Sequence, residues 1–96
     1  RNRRRHPRLT CSLKAKARWL ERRTEYPGKG EAWVDIMVLD ISQGGAKILL
    51  NLPVECEEVL ELDLPAKGRP SVKRTGRAVH VVMESGPRWH VGLMFV

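Results

Sequence analysis

Leu13-Lys14-Ala15-Lys16-Ala17-Arg18-Trp19 is the stretch that decides the fold. Apolar and basic residues alternate through it, and a period of two is the pattern of a strand with one buried face. The same alternation returns in residues 59–64, which read Val-Leu-Glu-Leu-Asp-Leu, and in residues 89–95. A short helix over residues 15–23 is the alternative for the first segment, but the alternation favours a strand with its basic residues facing outward.

Three more segments have the Trp, Val, Ile and Leu content of strands: residues 32–39, 46–50 and 75–83. The segments between strands are rich in Gly, Pro, Asn and Ser, which predicts turns or loops at residues 26–30, 44–45, 51–53, 65–71 and 85–87. Six short strands in so small a chain favour closure into a barrel, because closure leaves no strand edge exposed. We therefore predict an all-β fold, a six-stranded antiparallel barrel over residues 9–96, preceded by a flexible basic arm over residues 1–8.

Composition limits the class of protein. The 96 residues suffice for one small domain, and 42% hydrophobic with 30% charged residues is typical of a globular chain. No stretch approaches the roughly 20 apolar residues that span a membrane, and no apolar run follows the first arginines as in a signal peptide. We expect a cytoplasmic protein, or the cytoplasmic part of a longer chain. Cys11 and Cys56 lack metal or redox spacing and the three histidines are scattered, so we expect reduced thiols and no metal site.

The charge is +7 and unevenly distributed. Five arginines lie in residues 1–8, further basic stretches occupy residues 14–23 and 67–77, and acidic residues gather in residues 55–63. This balance favours an anionic partner, either nucleic acid, a nucleotide or an anionic lipid, and charge alone does not choose among them.

Two short motifs carry chemistry. Residues 4–8 have an R-x-x-x-R spacing, and residues 40–45 read Asp-Ile-Ser-Gln-Gly-Gly, or D-x-S-x-x-G. Asp40 and Ser42 are two positions apart at a strand end, so both side chains face one side, where a carboxylate can accept hydrogen bonds from guanine N1–H and its amino group. Gly44 and Gly45 permit positive φ and lack the Cβ that would block a flat base. Arginine forks match the O6/N7 edge of guanine and phosphate oxygens.

Each motif has a simpler interpretation when it is taken separately. The arginines can form a solvated tail, and residues 40–45 can form a tight turn in which Asp and Ser bond to the local backbone. Together, in this order and followed by the G-x-x-F ending Gly92-Leu93-Met94-Phe95, they resemble the PilZ family of cyclic di-GMP receptors. The resemblance covers residues 3–95.

The resemblance implies a site. The arm would wrap over ligand on the barrel surface, and Arg4 and Arg8 would hold guanine and phosphate groups. Asp40, Ser42 and Gly45 would line the base from the barrel side. The remaining members of the predicted ligand site are Arg3, Arg5, Gly44 and Gly92.

Some of these roles are more specific. A basic residue at the place of Arg3 accompanies an intercalated dimer of cyclic di-GMP in this family, so two ligands per chain are expected. Arg5 would be an additional phosphate contact, and Gly92 would serve either packing or close approach of the ligand. No cofactor beyond this ligand is expected. Binding would order the arm and signal to a protein partner or an adjoining domain.

Two rival functions remain open from the sequence. One is a small basic nucleic-acid-binding barrel, although the strands offer few exposed aromatic residues for base stacking and Asp40 would repel a phosphate backbone. The other is a ligand-independent PilZ-like adaptor that binds only protein. No nucleophile, base and orienting group stand in a catalytic spacing, and no phosphate-binding loop is visible, so we predict that the protein is not an enzyme.

Overall fold

The computed structural model describes residues 9–23, 32–84 and 86–96, with only the backbone for residues 9–11. It contains six strands: β1 (Leu9–Glu21), β2 (Val34–Ile41), β3 (Gly45–Leu50), β4 (Val59–Ala66), β5 (Arg69–Glu84) and β6 (Arg88–Phe95). All neighbours pair antiparallel, and the sheet closes in the order β1-β2-β3-β6-β5-β4. The predicted all-β, six-stranded antiparallel barrel is confirmed. The predicted arm over residues 1–8 and the turn at residues 26–30 lie outside the described residues.

The alternation of β1 builds one wall of the core. Ala15, Ala17 and Trp19 are buried inside the barrel, while Lys14 and Lys16 are exposed on the outside. The neighbouring strand β4 contributes its leucines, and the other strands add residues such as Ile48 and Val91, so that one apolar cluster fills the barrel. In the described part of the chain no helix is long and apolar enough to cross a membrane.

The connection between β4 and β5 differs from the prediction. The prediction of a loop over residues 65–71 is wrong, because β4 continues to Ala66 and β5 begins at Arg69, with a two-residue turn between them. Gly68 occupies this turn with a φ of 68°, a conformation in which glycine has no steric cost. The pairing register shifts next to Pro65, and a bulge is where a strand accommodates a residue without an N–H donor.

A buried carboxylate joins three parts of the barrel. Glu58 is 0% exposed and accepts hydrogen bonds from Trp19 Nε1 (2.8 Å), the Arg23 backbone N–H (2.8 Å) and the Glu55 backbone N–H (3.1 Å). The Arg22 guanidinium lies 3.8 Å from the centre of the Trp19 ring. The end of β1 is thereby fixed to the connection between β3 and β4.

The residue before this carboxylate stores backbone strain. Glu57 has a φ of 79°, which costs a residue with a Cβ about 1 kcal/mol or more, and its ion pair with Arg77 is long at 3.8 Å and exposed. We expect Glu57→Gly to be about 0.5 kcal/mol more stable than Glu57→Ala, because both lose the ion pair and only glycine relieves the strain. Urea denaturation of the two variants measures this difference, and an alanine variant that equals or exceeds the glycine variant in stability would contradict it.

Candidate functional site

The D-x-S-x-x-G motif forms the turn between β2 and β3, and we call residues 40–45 the motif turn. Asp40 is the penultimate residue of β2 and Ser42 follows the strand. The Ser42 backbone N–H donates to the carbonyl of Gly45 at 2.9 Å, and its hydroxyl lies a long 3.5 Å from the same oxygen. The Phe95 N–H donates to the carbonyl of Gly44 at 2.9 Å. The motif turn is therefore fixed to the G-x-x-F end of β6, so two segments singled out in the sequence lie side by side.

The two glycines of the motif turn have different roles. Neither adopts positive φ, so the conformational freedom noted from the sequence is not used. A Cβ on Gly45 would overlap the carbonyl oxygen of Leu93, which means that the close approach of β3 to β6 requires glycine there. A Cβ on Gly44 would meet no atom within 4 Å. Gly44 therefore borders open space beside the turn, whereas Gly45 is required by the packing of the barrel itself.

A line of paired residues crosses the outer surface next to the motif turn. Asp40 on β2 pairs with Lys47 on β3, Lys47 pairs with Gly92 on β6, and Gly92 pairs with His80 on β5. A register shift just before His80 leaves Val79 without a partner on β6, as in a β-bulge. The side chains of Val79 and His80 are both exposed. Going across the sheet from β2 to β5, the surface thus presents the carboxylate of Asp40, the ammonium group of Lys47, the bare backbone of Gly92 and the imidazole of His80.

A groove of about 380 Å³ lies along this line. Of the predicted ligand residues, Ser42, Gly45 and Gly92 line it, and Asp40 precedes Lys47 on the line that crosses it. Its remaining lining combines polar and apolar side chains from β3, β5 and β6: Ala46, Lys47, Val79, His80, Val82, His90 and Leu93. An apolar surface with cationic and hydrogen-bonding groups at its side suits a flat base that carries a phosphate.

The missing side chain of Gly92 widens the groove. A Cβ there would stand 3.4 Å from the Cβ of His80, which is ordinary contact, and its φ is not positive. The barrel therefore does not demand glycine at this position, in contrast to Gly45. Close packing of the barrel therefore does not explain the glycine, and the role of Gly92 in ligand approach stays a prediction.

Four predicted ligand residues, Arg3, Arg4, Arg5 and Arg8, lie outside the described residues, so their roles stay predictions. Sequence reasoning missed Lys47 and His80. The only sequence signal for them was alternation along β3 and β5, and it did not reveal which strands are neighbours. Among the described residues no three His, Cys, Asp or Glu side chains cluster as they would around a metal ion, and Cys56 is a free thiol.

The opposite face of the barrel is electrostatically compensated. Lys16 Nζ lies 2.7 Å from Asp35 Oδ1 and Arg18 Nε lies 2.8 Å from Glu61 Oε1. The hydrogen bond and the charge of Lys16 hold the pKa of Asp35 below its ordinary value. Two basic side chains of β1, those of Lys16 and Arg18, are therefore paired with carboxylates, while Lys47 in the groove forms no ion pair with any described residue.

The family model described as "PilZ domain" matches residues 2–96, which is nearly the whole chain. No curated protein sequence matches it.

Solved structures share the fold. The PilZ domain with c-di-GMP of YcgR from Escherichia coli superposes with a TM-score of 0.66 at 12% identity, over 99% of this chain and 79% of that one. The K. pneumonia MrkH–c-di-GMP complex gives a TM-score of 0.63 at 16% identity, over 99% of this chain and 44% of that one. At these identities the likeness concerns the arrangement of the barrel.

Proposed function

Because the chain belongs to the PilZ domain family, we propose that it is a receptor for cyclic di-GMP that binds this ligand without transforming it. The observation that carries the proposal is the motif turn, which lies beside a groove lined by Ser42, Gly45 and Gly92. The two similar solved structures, which hold c-di-GMP, support the same ligand class.

Each group of the site has a role in this proposal. Asp40 accepts hydrogen bonds from the N1–H and amino group of a guanine, and the Ser42 hydroxyl bonds to the same ligand. The open space next to Gly44 admits the flat base beside the turn. Arg4 and Arg8 supply charge-assisted bonds to guanine and phosphate oxygens, which are about twice as strong as neutral ones.

The finer form of the proposal concerns stoichiometry. Arg3 precedes the R-x-x-x-R motif, and we expect it to favour an intercalated dimer of cyclic di-GMP with Arg5 as a further phosphate contact. Two ligands bring four negative phosphate charges, and the five positively charged arginines in residues 1–8 are enough to neutralise them.

The proposed output is a change of order in the arm. Fixing each residue of residues 1–8 costs roughly 1–2 kcal/mol of backbone entropy, so the ligand must supply this free energy through its bonds to the arginines. The ligand-bound population then presents the arm to a protein partner or an adjoining domain. We place the protein in the cytoplasm, where this ligand is encountered, and assign it no catalytic step.

The nucleic-acid alternative receives less support from the surface. Lys16 and Arg18 lie on the basic outer face of β1, and both are paired with carboxylates that a phosphate backbone would have to displace. The experiment must distinguish the receptor from an adaptor that binds only protein, because the barrel fold is equally compatible with that function.

Calorimetric titration of the 96-residue protein with cyclic di-GMP tests the proposal, with GTP and cyclic GMP as control ligands. We expect a micromolar or tighter dissociation constant with about two ligands per chain, and a loss of at least tenfold in affinity for Asp40→Ala and for Arg8→Ala, since each removes charged hydrogen bonds. Asp35→Ala is the matched control, because it removes the same side chain from the same strand where it is exposed and bonded to Lys16.

The results separate the alternatives. One ligand per chain would keep the receptor and contradict the role given to Arg3. Equal affinity in the Asp35 and Asp40 variants would remove the motif turn from the site. An absence of heat and of a thermal shift at saturating ligand would overturn the receptor function and leave the protein-only adaptor.

A further inference from the structure

We propose that Lys47 and His80 form a phosphate-binding position outside both sequence motifs, in which the two side chains hold one phosphodiester of cyclic di-GMP over the bare backbone of Gly92. The inference rests on the proposed function and adds to it two ligand-holding residues that belong to neither sequence motif.

The pairing register of the strands places Lys47 and His80 on either side of one glycine. Lys47 and His80 are the partners of Gly92 on its two sides, on β3 and β5 respectively. Strands in a sheet lie about 4.8 Å apart, so the backbones of Lys47 and His80 are separated by about 10 Å with only a glycine between them. Lysine and histidine side chains are long enough to turn toward the glycine from these two positions, so both can contact one phosphate group there.

The side chains of Lys47 and His80 both carry groups that bind a phosphate. Lys47 offers three N–H donors and a positive charge, and His80 offers an N–H donor in either of its protonation states. Both side chains are exposed and line the groove. With Lys47 unpaired within the described part of the chain, its charge is available to an anion.

The proposed phosphate position lies next to the motif turn. Lys47 pairs with Asp40 as well as with Gly92, so a guanine held by Asp40 lies one strand away from the proposed position. In cyclic di-GMP every guanosine is bonded to two phosphodiesters. The apolar surfaces of Val79 and Val82 on the same wall of the groove support the sugar and base while the phosphate meets the polar groups.

The substitution Lys47→Met tests the position, with Lys73→Met as the matched control. Both remove one lysine charge from an exposed strand position, but Lys73 lies 3.9 Å from Asp63 on the compensated face and does not line the groove. We expect Lys47→Met to weaken cyclic di-GMP binding about tenfold in calorimetry, and Lys73→Met to change it by about twofold or less.

A second variant tests the space over the glycine. Gly92→Leu projects a side chain into the groove, and we expect it to reduce the affinity for cyclic di-GMP by more than tenfold. Because the barrel has room for a Cβ there, urea denaturation of this variant should still show a cooperatively folded barrel. His80→Ala should weaken binding about fivefold through the lost hydrogen bond.

The outcomes are distinguishable from failure of the proposed function. If Asp40→Ala loses binding while Lys47→Met and Gly92→Leu keep it, the receptor stands and this inference is overturned. Tighter binding in Lys47→Met would also overturn it, because the lysine would then be a competitor for Asp40 and not a ligand contact. A wild-type protein that does not bind cyclic di-GMP overturns both.

Discussion

The Gly45→Ala protein is expected to be about 3 kcal/mol less stable than the wild type. A Cβ at this position overlaps the carbonyl oxygen of Leu93, and a backbone carbonyl cannot rotate away as the end of a side chain can. The substitution must separate β3 from β6 at the place where Gly45 pairs with Met94. For a domain of this size such a loss removes a large fraction of the folding free energy.

The adjacent glycine provides the control for this experiment. Gly44→Ala adds the same methyl group one residue earlier, where it meets nothing within 4 Å and where φ is not positive. We expect Gly44→Ala to be neutral or stabilising by about 0.5 kcal/mol, since alanine restricts the unfolded chain. Urea midpoints of the two variants measure the contrast. Similar midpoints would show that β3 and β6 can shift at little cost, and our account of Gly45 would be wrong.

The result bears on how binding data are interpreted. Loss of cyclic di-GMP binding in a Gly45 variant would follow from a distorted barrel even if no ligand atom touched this residue. Binding measurements at this position are therefore informative only beside a stability measurement.

Removal of the buried carboxylate is the second large effect, and Glu58→Ala is expected to cost about 4 kcal/mol. Three donors, Trp19 Nε1 and the backbone N–H groups of Arg23 and Glu55, lose their acceptor. The unsatisfied buried donor of Trp19 costs about 1–3 kcal/mol, and the two part-buried backbone donors cost less because water reaches them more easily.

A graded series checks that the acceptor, and not the volume, matters. Glu58→Gln keeps the shape and one oxygen, which can still serve Trp19 and Glu55, but it turns an amide N–H₂ toward the N–H of Arg23. We expect a loss of about half that of Glu58→Ala. Glu55→Ala is the control, because it removes an exposed carboxylate while its backbone donor remains. Equal stability of the Gln and Ala variants would contradict the hydrogen-bond explanation.

Much of the fold followed from local pattern. The alternation in residues 13–19 and 59–64 specified the buried faces of β1 and β4, because a side-chain period of two leaves no other way to bury every apolar residue. The β4–β5 hairpin did not follow, since the two prolines suggested a loop while the pairing of Ala66 with Arg69 stabilises a hairpin. Glu58 did not follow either, because its acidic neighbours gave it the appearance of a surface residue.

The candidate site divides in the same way. Asp40 and Ser42 could be singled out because they belong to a compact motif. Lys47 and His80 could not, because their proximity depends on β3 lying next to β6 and on register shifts near Asp40 and His80. These are consequences of closing the barrel, and no window of the sequence contains them.

Closure of the barrel also limits how another protein can recognise this domain. Many partners bind by adding a strand to an open sheet, where main-chain N–H and C=O groups await pairing. In the described part of the chain each of the six strands already has a neighbour on both sides. A main-chain edge is open to a partner only where a strand extends past one neighbour, as residues 69–74 of β5 do beyond the end of β6. Over the rest of the wall a partner must recognise side chains, so its specificity will respond to point substitutions of surface residues.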